Sequence, residues 1–241
     1  MIDITDVRKS FGPIEVIKGV NLTIRKSEVL CLIGASGSGK STLLQCINGL
    51  EPIQGGRIVV DGTDVHAKGT DLNKLRQKLG IVFQQYNAFP HLTALENVAL
   101  APRLVKKIPK AQAMQLAHEH LSFVGLGNRA DMRPASLSGG QQQRLAIARA
   151  LAMQPDYMLF DEVTSALDPE LVGEVLDTIR KLKDSGMTLI MVTHDIAFAR
   201  ESADRIAFFD NGLICEIGDA RQVINNPRED RTRQFLQRVL H

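Results

Sequence analysis

The chain has 241 residues, 44% of them hydrophobic and 23% charged, which suits one large domain or a core with an inserted unit. A net charge of +2 is too small to argue for nucleic acid or an anionic lipid surface, and no apolar run approaches the ~20 residues a spanning helix needs. Met1-Ile2-Asp3-Ile4 lacks the basic and apolar regions of a signal peptide, so membrane contact is expected only through a partner.

Residues 2–25 alternate apolar and polar: Ile2, Ile4, Val7, then Val16, Ile17, Val20, Leu22 and Ile24, with Gly12-Pro13 between. The spacing predicts half-exposed antiparallel strands joined by a turn. Phe11 stands on the turn side of the first strand, where its ring can stack on a base or simply pack in the turn.

Val29–Ile33 reads as a buried strand and Thr42–Asn48 as the first turns of a helix. Between them lies Gly34-Ala35-Ser36-Gly37-Ser38-Gly39-Lys40-Ser41. Strand, glycine loop, then helix is the context of a phosphate cradle rather than of a flexible Gly/Ser turn. Glycines let several N–H groups converge on one anion, and the helix adds its unpaired N–H groups and positive dipole end. Lys40 is placed to reach the β- and γ-phosphates, and Ser41 to offer its hydroxyl to Mg²⁺.

Gly55-Gly56 opens a strand over 57–62, residues 63–78 read as loop plus a short helix, and Leu79–Phe83 is a further strand followed by Gln84. Residues 86–109 hold Pro90, Pro102 and Pro109 among Phe89, Leu92, Leu95, Val98 and Leu100; whatever stays exposed there is a docking surface. Residues 110–124 are helical in pattern. Leu137-Ser138-Gly139-Gly140-Gln141 is a second glycine motif opening a helix, with Ser138 a natural N-cap.

Tyr157–Phe160 followed by Asp161-Glu162 reads as a buried parallel strand with chemistry at its carboxyl end. Asp161 is the expected Mg²⁺ ligand, directly or through water. Glu162, one residue on, is expected on the opposite side, where it can orient or deprotonate a water beside a γ-phosphate. Ser165-Ala166-Leu167-Asp168-Pro169 is a turn in which Asp168 or Ser165 caps the next helix. Thr188–Thr193 is another buried strand, and His194 after it is either a γ-phosphate ligand or structural. Residues 197–204 look helical, and Asn211-Gly212 joins two strands as a hairpin. The tail, 219–241, is polar and helical in two pieces; Cys31, Cys46 and Cys215 lack metal-ligand spacing and read as free thiols in a reducing cytoplasm.

Five motifs in this order resemble the nucleotide-binding subunit of ABC transporters over essentially the whole chain: Gly34–Ser41 as Walker A, Gln84, Leu137–Gln141 as the signature, Tyr157–Asp161 as Walker B with Glu162, and Ser165–Asp168 with the switch His194. Phe83–His91, Ala99–Pro102 and Thr164–Leu176 look like the ATPases that drive uptake of polar amino acids in bacteria. The chain departs from the family in Val163 for the usual Pro, Phe11 for the usual Tyr, and Ala35 where Pro is common.

The resemblance implies an α/β fold: a P-loop NTPase (RecA-like) core, an N-terminal antiparallel β-subdomain and an inserted α-helical subdomain. It divides the chain into a core of 1–85 and 155–218, a signature subdomain of 86–154 and a helical tail of 219–241. It implies ATP bound by Phe11, Val16 and Gly34–Thr42 (Gly34, Ala35, Ser36, Gly37, Ser38, Gly39, Lys40, Ser41, Thr42), with Mg²⁺ on Ser41, Gln84 and Asp161. Glu162, His194 and Gln84 are then catalytic, while Ser138, Gly139, Gly140, Gln141 and Asp168 contact the ATP of a second copy in a head-to-tail homodimer. The expected partners are integral membrane permease subunits and, indirectly, a substrate-binding protein, at the cytoplasmic face of the plasma membrane. The rival reading is a soluble ABC ATPase acting on nucleic acid or ribosomes; the long coiled-coil insertion or paired cassettes of those relatives are not in this sequence.

Overall fold

Alternation of apolar and polar residues builds the first sheet. The computed structural model describes residues 1–240. β1 (Ile2–Phe11) and β2 (Ile14–Ile24) run antiparallel across the Gly12-Pro13 turn. β3 (Val29–Gly34) leaves for a second sheet and feeds α1 (Lys40–Ile47). β4 (Gly55–Val60) returns to pair with β1, and a two-residue β5 (Thr63–Asp64) completes the antiparallel order β2-β1-β4-β5.

After the short α2 (Leu72–Arg76), β6 (Leu79–Val82) joins the second sheet. Three helices follow: α3 (Ala94–Leu104), α4 (Lys110–Phe123) and α5 (Gly139–Leu151). Then come β7 (Tyr157–Asp161), α6 (Pro169–Asp184), β8 (Thr188–Val192) and α7 (Ile196–Ser202). The hairpin β9 (Arg205–Asp210) and β10 (Leu213–Asp219) turns at Asn211-Gly212, and α8 (Ala220–Asn225) and α9 (Asp230–Leu240) close the chain. The second sheet has the order β10-β9-β3-β8-β7-β6, parallel except for β10.

Because side chains alternate along a strand, each buried strand of this sheet serves two cores. Val29, Cys31 and Ile33 belong to the core that holds α3–α7, with α7 packed on the strand, while Leu30 and Leu32 belong to the core shared by α1 and the antiparallel sheet. β7 divides likewise: Met158 and Phe160 to the first core, Tyr157 and Leu159 to the second. By that period Asp161 falls on the α1 side, which is where Ser41 stands. Burial pushes the Cys31 and Cys46 thiols up to about 12, so they are packing groups, not nucleophiles.

The segment 86–109 holds a regular helix in spite of its three prolines. Thr93 and Glu96 form a reciprocal capping box, α3 runs from there, and Pro102 is accommodated near its end. Asn97, buried, bonds Phe89 N and O, Leu92 O and Thr93 O, which fixes the loop in front. Exposed apolar surface remains at Phe89, Leu104 and Val105, beside a groove of about 460 Å³ lined by Phe83, Tyr86, Leu100 and Leu104.

Candidate active site

The phosphate-type loop hangs between β3 and α1. Gly39 is the N-cap of α1 with φ of 107°, and a Cβ there would stand 2.9 Å from Val16 O, so only glycine fits. No side chain caps this helix, which leaves its first N–H groups directed at the loop. Lys40 is only 3% exposed; its Nζ donates to Gly34 O at 3.0 Å, Ala35 O at 2.8 Å and Ser38 Oγ at 3.4 Å. Burial lowers the Lys40 pKa, and the carboxylates of Glu162 and Asp161 oppose that shift.

Ser41 Oγ donates to Asp161 Oδ1 at 2.6 Å. Burial raises the Asp161 pKa; the Ser41 bond opposes it and the Glu162 charge adds to it. Two hard oxygen donors therefore converge where α1 meets the end of β7. That set fits Mg²⁺, which takes one or two protein ligands and fills its octahedron with waters and phosphate oxygens.

Glu162 does not continue the strand alternation. It takes φ of +50°, and its carboxyl lines the same cleft as the loop instead of facing away. The turn is held without the proline: Glu162 N donates to Val192 O at 3.0 Å, and Glu162 O accepts from Ser165 N at 3.1 Å and Ser165 Oγ at 2.7 Å. Val163 is buried beneath it. His194, just past β8, brings Nε2 to 2.8 Å from Glu162 Oε1.

The cleft itself, about 320 Å³, is lined by Phe11, Val16, Ser36, Gly37, Gly39–Thr42 and Glu162. Phe11 is 47% exposed, with Lys9 Nζ 4.4 Å from its ring centre. Gln84 lies beyond the end of β6, exposed, outside this lining, and forms no side-chain hydrogen bond among the described residues.

Ser138 and Gln141 form the second capping box, Gln141 N to Ser138 Oγ at 3.3 Å and Ser138 N to Gln141 Oε1 at 3.0 Å. Ser138 is exposed, and none of Ser138–Gln141 lines the cleft of Lys40. Asp168 is the N-cap of α6 by position, but neither it nor Ser165 caps by side chain. Pro169 follows at N1, where the missing N–H costs nothing, so α6 starts without a side-chain acceptor.

Two supporting residues escape the sequence reading. Gly212 N donates to Ser38 O at 3.1 Å, and Gly212 O accepts from Lys18 N at 2.9 Å. Gln143, fully buried on α5, donates from Nε2 to Phe83 O at 3.2 Å. The Asn-Gly pair signals the hairpin but not what it touches, and a glutamine in a helix carries no signal of its packing.

A parallel sheet that delivers a lysine-bearing glycine loop and an acidic strand end to one edge is the arrangement of P-loop nucleoside-triphosphate hydrolases. The family model described as ABC transporter matches residues 17–165. The chain belongs to that family, and it is an ATPase of the ABC class. It is 51% identical over 241 residues, all of both chains, to the glutamine transport ATP-binding protein GlnQ of Geobacillus stearothermophilus. It is 50% identical over 250 residues, 100% of this chain and 98% of the other, to the arginine transport ATP-binding protein ArgV of Corynebacterium glutamicum. Its fold matches the ATP-binding cassette MJ0796, in a dimeric post-hydrolysis state bound to ADP and Pi, with a TM-score of 0.82 and 37% identity over 92% of this chain and 99% of that one. No helix among the described residues is long and apolar enough to cross a membrane.

Proposed function

We propose that the chain is the ATP-hydrolysing subunit that energises import of a polar amino acid through separate membrane subunits, working at the cytoplasmic face of the plasma membrane. Full-length similarity to glutamine and arginine transport ATP-binding proteins supports the substrate class. The observation that carries the mechanism is that one chain holds a lysine-bearing cradle and, outside that cleft, an exposed capped helix start at Ser138. The cradle supplies one wall for ATP; Ser138–Gln141 and Asp168 of a second copy supply the other. ATP then sits in the interface and favours the closed dimer through contacts that only the closed state makes. Residues 86–154 act as the signature unit, 1–85 and 155–218 as the nucleotide-binding core, and 219–241 as an accessory tail.

Gly34–Thr42 bind the phosphates and Phe11 and Val16 the base end. Mg²⁺ would be held by Ser41 and Asp161, with Gln84 drawn to it on closure, and when bound it neutralises charge on the β- and γ-oxygens. Glu162 accepts the proton of the attacking water. His194 orients Glu162 and bonds the γ-phosphate. The apolar groove around Phe83 and Leu100 receives the permease subunits, and a substrate-binding protein acts through them.

The test is a pull-down from detergent-solubilised membrane, followed by ATPase assay of the complex with candidate substrate-binding proteins. Stimulation by a protein loaded with a polar amino acid is expected. Co-purification with ribosomes or DNA, and none with membrane subunits, would refute the proposal.

A further inference from the structure

We propose that Gln143 is a positioning residue for Gln84, clasping the segment 83–87 to the helix that begins at Ser138. The inference rests on the catalytic reading of Gln84 given above. The ladder between β6 and β7 ends at the pair Val82–Phe160. Phe83 O, one residue before Gln84, lies past that last pair and accepts from Gln143 Nε2 at 3.2 Å. Gln143 thus fixes the backbone where the strand's own register stops.

The environment argues against a packing role. Gln143 shares a face of α5 with Ala146 and Ala150, three and seven residues on. Ala150 Cβ is 3.5 Å from where a Cβ on Gly80 of β6 would stand, so this face lies close against the strand. Gln143 is 0% exposed, and its Oε1 has no partner. A buried acceptor without a donor costs stability that a methionine of similar shape would not. What the amide adds is the single directed bond to Phe83.

The other end of the segment is tied to the same helix. Arg149 Nη1 donates to Asn87 O at 2.6 Å, and its guanidinium sits 5.0 Å from the centre of the Phe89 ring. Between these ties the Tyr86 hydroxyl is 2.9 Å from where a Cβ on Gly139 would stand. Gln84, assigned to the chain's own nucleotide, and Ser138–Gln141, assigned to the partner's, are therefore mounted on one body. Gln143 is the clasp nearest Gln84.

A double-mutant cycle on the full chain tests this, with Gln143→Met, Gln84→Ala and the pair, reading kcat, KM, nucleotide affinity and melting temperature. Gln143→Met is expected to lower kcat roughly tenfold with nucleotide affinity and melting temperature held. In the Gln84→Ala background it is expected to lower kcat no further. If Gln143→Met does not fold, Gln143→Leu, which also removes the amide donor without burying a charge, takes its place in the cycle. Multiplicative losses in the pair, or unchanged kcat in the Gln143 variant beside an impaired Gln84→Ala, overturn the clasp alone. Unchanged kcat in Gln84→Ala overturns the reading of Gln84 and the clasp with it.

Discussion

His194 Nε2 and Glu162 Oε1 meet at 2.8 Å although 32 residues separate them in the chain. The meeting follows from sheet order: β7 and β8 are neighbours, Asp161 is paired with Val192, and each residue stands just beyond its strand. Glu162 must turn into φ of +50° to make it, a conformation that costs a non-glycine residue about 1–2 kcal/mol. The three bonds from Val192 and Ser165 offset that strain. Strain held at this residue aims its carboxylate into the cleft instead of the core.

Replacing Glu162 by Gln keeps the size and a bond to His194 but removes the proposed proton acceptor. Turnover should fall by about 10²–10⁴-fold, with ATP binding intact. Size-exclusion chromatography with ATP should show the variant held as a dimer, and wild-type turnover would sink the assignment.

Lys40→Ala removes a buried cation that already makes three bonds to the loop. Hydrogen bonds to charged groups contribute about 1.5–3 kcal/mol, so nucleotide affinity should weaken roughly 10- to 100-fold. Titration of a fluorescent nucleotide analogue measures this directly.

Asp161 predicts a trade between stability and activity. Burial raises its pKa above the unfolded value, so its favourable contribution is present at low pH and is lost as pH rises through the raised folded pKa. In the nucleotide-free chain, burial makes ionising this carboxyl unfavourable. Asp161→Asn should therefore melt higher than the parent near pH 7, with the gap closing below about pH 4, and hydrolyse far less ATP. Melting scans across that range, without nucleotide, show whether the gap follows pH.

Ser138→Ala loses an N-cap, worth about 1 kcal/mol, so melting should drop by about 2–4 °C. Nucleotide binding to the monomer should not change. Turnover should fall roughly 10-fold or more if, as proposed, that hydroxyl serves the partner's site. If turnover per subunit stayed constant on dilution to isolated monomers, the shared site would be excluded.

The sheets were largely legible because the short runs Val29–Ile33, Tyr157–Phe160 and Thr188–Val192, buried throughout with side chains alternating between two faces, leave little choice of element. The same period fails at Glu162, where a positive φ reverses the side chain; nothing in Asp161-Glu162-Val163 announces that turn. α3 is obscured by Pro102, although Thr93-Ala94-Leu95-Glu96 carries the spacing of its capping box. Asp168 looks like a cap and makes no capping bond, because Pro169 already presets the first turn. Gln143 could not be read at all: its meaning depends on which face of α5 lies against β6, and that is a matter of packing.

The Asn211-Gly212 turn reaches well beyond the hairpin it closes. Gly212 holds β2 through Lys18 N and the glycine loop through Ser38 O, and a Cβ on it would stand 2.6 Å from Val16 O. Two sheets that are separate by their ladders are thus pinned together at one residue without a side chain. Phe11 and Val16 on one sheet, and Lys40 and Ser41 beyond the other, keep their spacing before any nucleotide arrives. Within one chain the base side and the phosphate side of the cradle are thus aligned by folding, and only the partner's wall is left to be aligned on binding.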